Sequence, residues 1–204
     1  MPADGPSAGT WQTPRMSSTS GPELWVVRHG ETEWSRDGKH TSTTDLPLTD
    51  VGEAAARGLG PRLAEVEFDL VLTSPRRRAR RTAELAGFAE AEVDEDLVEW
   101  AYGDYEGVTT AEIRESVPGW TVWTHPTPGG ESADEVSARL DRVVARTREH
   151  GRALVFAHGH SLRVLTARWL EQSAAEGRFF RLDTSTVSVL GFEREHPALL
   201  RWNS

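Results

Sequence analysis

Short apolar runs separated by polar, helix-like stretches organise this chain. Leu24-Trp25-Val26-Val27 is bulky and β-branched and stops at Arg28-His29-Gly30. A run so short, ended by glycine, predicts a buried strand. Phe68 to Thr73 predicts a second strand, stopped by Ser74-Pro75. Arg76 to Ala86 contains good helix formers, with Ser74 as the expected N-cap and Pro75 at the first helical position. Ala153 to Ala157 predicts a third strand ending at His158-Gly159-His160, then Ser161 to Leu170 a helix, and Thr186 to Leu190 another strand. Strands interleaved with helices predict an α/β fold, with a largely parallel sheet covered on both faces.

In such sheets ligands sit beyond the carboxyl ends of the strands. Three loops are expected to converge there: Arg28-His29-Gly30, the Ser74-to-Arg78 helix start, and His158-Gly159. Arginine can grip an oxyanion in a bidentate fork, and histidine titrates near neutrality. A helix start adds free N–H groups and a positive dipole end. Together they imply a phosphate pocket. Proton delivery to a leaving group points to Leu97 to Gly107, where Glu99, Asp104 and Glu106 compete among aromatics and glycines. A carboxyl beside Trp100 and Tyr102 suits acid catalysis if partly desolvated.

Composition narrows the classes. The 204 residues suit one domain with a substantial core. Residues 1–22 are rich in Pro, Ser, Thr and Gly and read as a disordered tail before a single domain at 23–204. A net charge of -9 disfavours nucleic acid as a partner, and no apolar run is long enough to span a bilayer. Cysteine is absent, so disulfides and thiolate metal sites are excluded; a cytoplasmic location is expected. A homodimer stays open.

Five segments resemble, in order, the histidine phosphatase superfamily, in its phosphoglycerate-mutase-like branch. They are Arg28-His29-Gly30-Glu31-Thr32, Thr73-Ser74-Pro75-Arg76-Arg77-Arg78-Ala79, Glu99 to Gly107, Gly129-Gly130-Glu131-Ser132, and Phe156-Ala157-His158-Gly159-His160. The Tyr102-to-Gly107 wording and the His-Gly-His ending look closest to small acid phosphatases and sedoheptulose-bisphosphatase-like members. The resemblance implies a three-layer α/β/α domain with a short cap insertion. It further implies His29 as nucleophile, Arg28, Arg78 and His158 as cationic phosphate-binding residues, and Glu99 as the acid. No metal or other cofactor is implied. Thr41 and Ser42 match substrate-touching positions, and Tyr102 and Gly159 join them as substrate-binding candidates. Ser35 stands where the family often has Asn.

The stretch between Gly107 and Gly130 is shorter than in the mutases, and a short cap carrying Trp120, Trp123 and His125 would leave the pocket open to water. Hydrolysis of a small phosphorylated metabolite through a phosphohistidine is therefore expected over phosphoglycerate-type phosphate shuffling. A non-catalytic sugar-phosphate module could dispense with Glu99. A metallohydrolase could use His158-x-His160 but lacks a matching acidic constellation. A serine hydrolase is suggested by Gly159-His160-Ser161, yet Arg163 stands where a nucleophile elbow needs Gly. Arg76 to Arg81 reads as a solvated helix face with Arg78 alone turned inward. Gly130-Glu131-Ser132 reads either as a turn with a helix cap or as a substrate contact.

Overall fold

The computed structural model describes residues 21–204, so the tail expected over residues 1–22 lies outside the described residues save for its last two. Strands β1 (Glu23–Arg28), β2 (Leu70–Thr73), β3 (Glu92–Val93), β4 (Arg152–Ala157), β5 (Val187–Glu193) and β6 (His196–Arg201) form one sheet, in the order β3-β2-β4-β1-β5-β6. The first four are parallel, while β5 runs antiparallel to β1 and forms a hairpin with β6. Helices are α1 (Glu33–Arg36), α2 (Asp50–Leu63), α3 (Arg77–Leu85), α4 (Thr110–Ser116), α5 (Ala133–Arg148) and α6 (Gly159–Trp169). Among the described residues no helix is long and apolar enough to cross a membrane.

Strand alternation divides the interior into two cores. Leu24 and Val26 face one way and join Leu72 and Val155 beneath Leu140 of α5 and Leu165 of α6. Trp25 and Val27 face the other way and join Leu154 and Phe156 against Leu59 of α2 and Ala83 of α3. The result is the expected three-layer α/β/α stack. In β4, Leu154, Val155 and Phe156 are fully buried. A strand covered on both faces has no polar alternation to show, and each such side chain contributes about 1.5–3 kcal/mol of burial.

Register then builds the site. Arg28 of β1 lies opposite Ala157 of β4, and Thr73 of β2 lies opposite Phe156. The following residues leave the sheet together: the His29 N–H donates to the Ala157 carbonyl at 3.0 Å and the Ser74 N–H to the Phe156 carbonyl at 2.9 Å. The three loops expected to converge do so.

Two helix starts differ from expectation. Helix α3 begins at Arg77, with Arg76 at its N-cap and no side-chain cap bond. The Ser74 hydroxyl meets His158 and also accepts the Arg76 N–H at 3.4 Å, and Asp45 accepts the Arg77 N–H at 2.8 Å. Helix α6 begins at Gly159, two residues before the expected Ser161.

Candidate active site

A cavity of about 240 Å³ opens at this sheet edge, lined by Arg28, His29, Ser35, Lys39, His40, Thr41, Glu99, Tyr102, Gly159, His160 and Arg163 among others. Six of the sequence-derived candidates thus line it: Arg28, His29, Thr41, Glu99, Tyr102 and Gly159. Arg78, His158 and Ser42 lie behind it, all buried.

His29 sits at the end of β1, where Gly30 packs against helix α2. A Cβ on Gly30 would come within 2.6 Å of the Gly52 carbonyl oxygen, so only glycine allows this approach. His29 Nδ1 lies 2.7 Å from the Gly30 carbonyl, which can only accept, so Nδ1 carries the hydrogen. Burial, then the Arg78 and Arg28 guanidiniums, hold the ring well below the ordinary histidine range, against the opposing Gly30 bond. The ring is therefore neutral, and its lone pair resides on Nε2.

Arg28 donates through Nη1 to the Leu182 carbonyl at 2.6 Å, while its buried Nε has no hydrogen-bond partner among the described residues. Such an orphan donor is costly in a protein interior, and an anion in the cavity would satisfy it. Arg78 makes four hydrogen bonds: Nε to His158 Nδ1, Nη1 to the Thr44 carbonyl, and Nη2 to the carbonyls of Thr41 and Ser42. Its charge remains beside His29. Of the neighbouring arginines, Arg77 and Arg80 are exposed, as a solvated face requires, but Arg76 is only partly so.

His158 departs from the sequence reading. It was expected to supply a cationic donor, yet burial, then Arg78 and His29, hold its ring well below the ordinary range. Both ring nitrogens are engaged, Nδ1 by Arg78 and Nε2 by Ser74 Oγ at 2.7 Å. The imidazole stands edge-on to His29 with ring centroids 5.2 Å apart.

The three competing carboxylates separate cleanly. Only Glu99 lines the cavity. Its Oε1 accepts the N–H groups of Trp100 (2.9 Å) and Ser161 (2.7 Å), and its Oε2 accepts that of His160 (2.9 Å). Two bonds fill the lone pairs of Oε1, so the free one belongs to Oε2. Glu106 instead braces a loop, accepting the Ser42 N–H, the Ser42 hydroxyl and the Thr44 N–H. Burial raises its carboxyl, but the Ser42 and Thr44 donors outweigh that and hold it below the usual carboxylate range. The same loop offers its carbonyls to Arg78. Asp104 is exposed.

The outer wall contains residues the sequence reading undervalued. The Tyr102 hydroxyl lies 2.5 Å from His160 Nδ1. Burial, then Glu99, raises the phenol well above its ordinary range, and burial, then Arg163, lowers the imidazole well below. A neutral phenol therefore donates to a neutral ring. His40 packs against Tyr102 with tilted rings, centroids 4.7 Å apart, and burial, partly offset by Glu106, lowers it to about 4. Arg163 lies over the Trp123 ring and donates to the Gly177 carbonyl. No motif flagged His40; its position is set by hydrogen bonds between its backbone and Gly107 and Val108.

Trp120 and Trp123 stand behind His40 and His160 and do not line the cavity, and His125 contacts Thr121 and Thr124. Ser35 lines the cavity, but its hydroxyl closes a capping box with Thr32. Ser161 Oγ is buried without a hydrogen-bond partner among the described residues, so none of them activates it as a base. Among the described residues no group of three or more His, Asp or Glu is placed to hold a metal ion.

The geometry defines a phosphatase-type α/β enzyme, and the chain belongs to the histidine phosphatase superfamily (branch 1), whose profile matches residues 24–204. It is 47% identical over 175 residues to the acid phosphatase of Mycobacterium tuberculosis, covering 83% of this chain and 86% of that one. It is 38% identical over 182 residues to sedoheptulose 1,7-bisphosphatase of Saccharomyces cerevisiae, covering 72% and 67%. The solved structure of an open reading frame product from Mycobacterium tuberculosis superposes with a TM-score of 0.85 at 43% identity, covering 89% of this chain and 97% of that chain.

Proposed function

We propose that this phosphatase hydrolyses a small phosphorylated metabolite of the sugar-phosphate or phosphoglycerate type through a phosphohistidine on His29. The observation that carries the reading is the tautomer of His29: Nδ1–H bound to the Gly30 carbonyl presents a neutral Nε2 beside Arg28. In the first step Nε2 attacks phosphorus and the P–O ester bond breaks. The leaving oxygen takes a proton carried by Glu99 Oε2. In the second step Glu99 receives a proton from water as that water's oxygen attacks phosphorus. The P–N bond breaks, and inorganic phosphate and neutral His29 result. Splitting the displacement lowers each barrier. Arg28, with Arg78 behind it, supplies the positive field for the phosphoryl oxygens.

The cavity size supports a small ester, and the neutral wall of His40, Tyr102 and His160 suits hydroxyl groups. The relative named sedoheptulose 1,7-bisphosphatase points the same way. A cytoplasmic place of action belongs to the same proposal. The test is steady-state phosphate release from a panel of sugar phosphates and phosphoglycerates, with trapping of labelled phosphoenzyme. The label should be acid-labile, base-stable and absent from His29→Ala, whose turnover should be lost. Near-normal turnover in that variant sinks the reading.

A further inference from the structure

Glu131 and Arg139 lie outside the cavity, and the reaction above does not use them. Arg139 is buried and forks onto Glu131, with Nε to Oε1 at 2.8 Å and Nη2 to Oε2 at 3.0 Å. Its Nη1 donates to the carbonyls of Asp96 at 2.7 Å and Val98 at 2.8 Å. Glu131 in turn accepts the Ala101 N–H through Oε2 at 2.9 Å and the Trp100 indole N–H through its carbonyl at 2.9 Å. Its own N–H donates to the Ala101 carbonyl at 2.9 Å. One ion pair therefore grips the chain on both sides of Glu99. Glu99 itself lies in neither helix nor strand, between 3₁₀ turns at Glu95–Leu97 and Gly103–Tyr105. Backbone pairing of the sheet does not hold it.

We propose that the Glu131–Arg139 pair is a positioning device for the proton-carrying carboxyl of Glu99, anchoring it to helix α5. This inference rests on Glu99 being the acid. The Gly130-Glu131-Ser132 motif thereby has a role besides capping: Ser132 starts α5 through its capping box with Glu135, while Glu131 turns back to the acid loop. A planar guanidinium can serve a carboxylate and two carbonyls at once, whereas an ammonium is a compact point charge. Stability alone is a weak reason for such a pair, since burying two charges costs much of what their attraction returns. Placement is the stronger reason, because a shift of ~1 Å at a reacting group can cost on the order of 100-fold in rate.

The test compares Glu131→Gln and Arg139→Lys with Glu99→Gln, measuring kcat/KM on an alkyl sugar phosphate and on p-nitrophenyl phosphate. The nitrophenolate leaves without much protonation, and the alkoxide does not. Glu99→Gln should lose about 100-fold on the alkyl ester and far less on the aryl ester. Both clamp variants should show the same selectivity at about tenfold, in protein that melts cooperatively. Equal loss on both esters, or no loss, while Glu99→Gln stays selective overturns the inference. Failure of both clamp variants to fold also overturns it, since the pair would then be a requirement of folding. If Glu99→Gln shows no selectivity, the acid assignment itself fails and the inference falls with it.

Discussion

Arg78 Nε donates to His158 Nδ1 at 3.1 Å, and that bond decides the state of the histidine beside the nucleophile. With Nδ1 accepting, Nε2 must carry the hydrogen, which it donates to Ser74 Oγ. The cation of the pair is the arginine. Ser74→Ala should leave a buried N–H unpaired, lowering stability by about 1–3 kcal/mol. It should also reduce kcat/KM, since the imidazole loses its orientation. Thermal melts and initial rates check this, and an unchanged variant contradicts the tautomer.

Gly159→Ala separates stability from activity. A Cβ at this position would meet Arg28 Nε at 3.3 Å and Cζ at 3.4 Å, tighter than ordinary contact. Alanine restricts the unfolded chain by up to about 1 kcal/mol, which offsets the cost of displacing Arg28 and should keep stability near its starting value. Phosphate binding should weaken, because the guanidinium is pushed aside. The expected result is a raised inhibition constant for inorganic phosphate with an undiminished melting temperature.

Acid should destabilise the fold. Burial leads the causes that lower His29, His158 and His160 well below the ordinary range, and His40 to about 4. An unfolded chain takes up these protons near pH 6.5, where the folded chain does not. Stability is therefore fully present above about pH 6.5 and declines as pH falls, by up to about 1.4 kcal/mol per unit for each histidine. For His40 the decline ends near pH 4. Melting temperature against pH gives the slope, and His40→Gln should flatten it. The neutral nucleophile, by contrast, should keep the rate from falling between pH 7 and 6.

Glu106→Gln tests the brace under Arg78. The carboxylate receives the Ser42 and Thr44 donors, and the loop they belong to receives Arg78 through the carbonyls of Thr41, Ser42 and Thr44. An amide cannot accept at both ends, so a loss of about 2 kcal/mol is expected. Turnover should fall with it. Denaturant melts alongside kcat/KM would show a silent substitution if the brace were unimportant.

The sequence made the strands visible wherever apolar runs were short and ended in glycine or proline, as at Val27 and Thr73. It hid the β5–β6 hairpin. Glu193 pairs with His196 around Arg194 and Glu195, and Arg194 adopts a φ of 58° that Gly or Asn usually signals. The site was legible through motif order, which named His29, Arg78 and Glu99. The hydrogen-bond states of the site were not legible, because Arg78, His158 and Arg28 depend on Thr44, Ser74 and Leu182, to which no spacing connects them. The neutral His158 follows from burial and from Arg78, neither of which a linear string displays.

Strand β4 lies between β1 and β2, and its pairing joins Val27 to Phe156, 129 positions along the chain (156 − 27). Arg28, His29 and Arg78 leave the ribosome early, but β1 and β2 are not neighbours and cannot complete the edge alone. Only when Arg152 to Ala157 inserts does the floor of the pocket exist. Closing so long a loop is slow relative to local structure. Recovery of phosphatase turnover during refolding should thus lag the appearance of helix, and catalysis becomes a reporter of long-range strand pairing in the molecule.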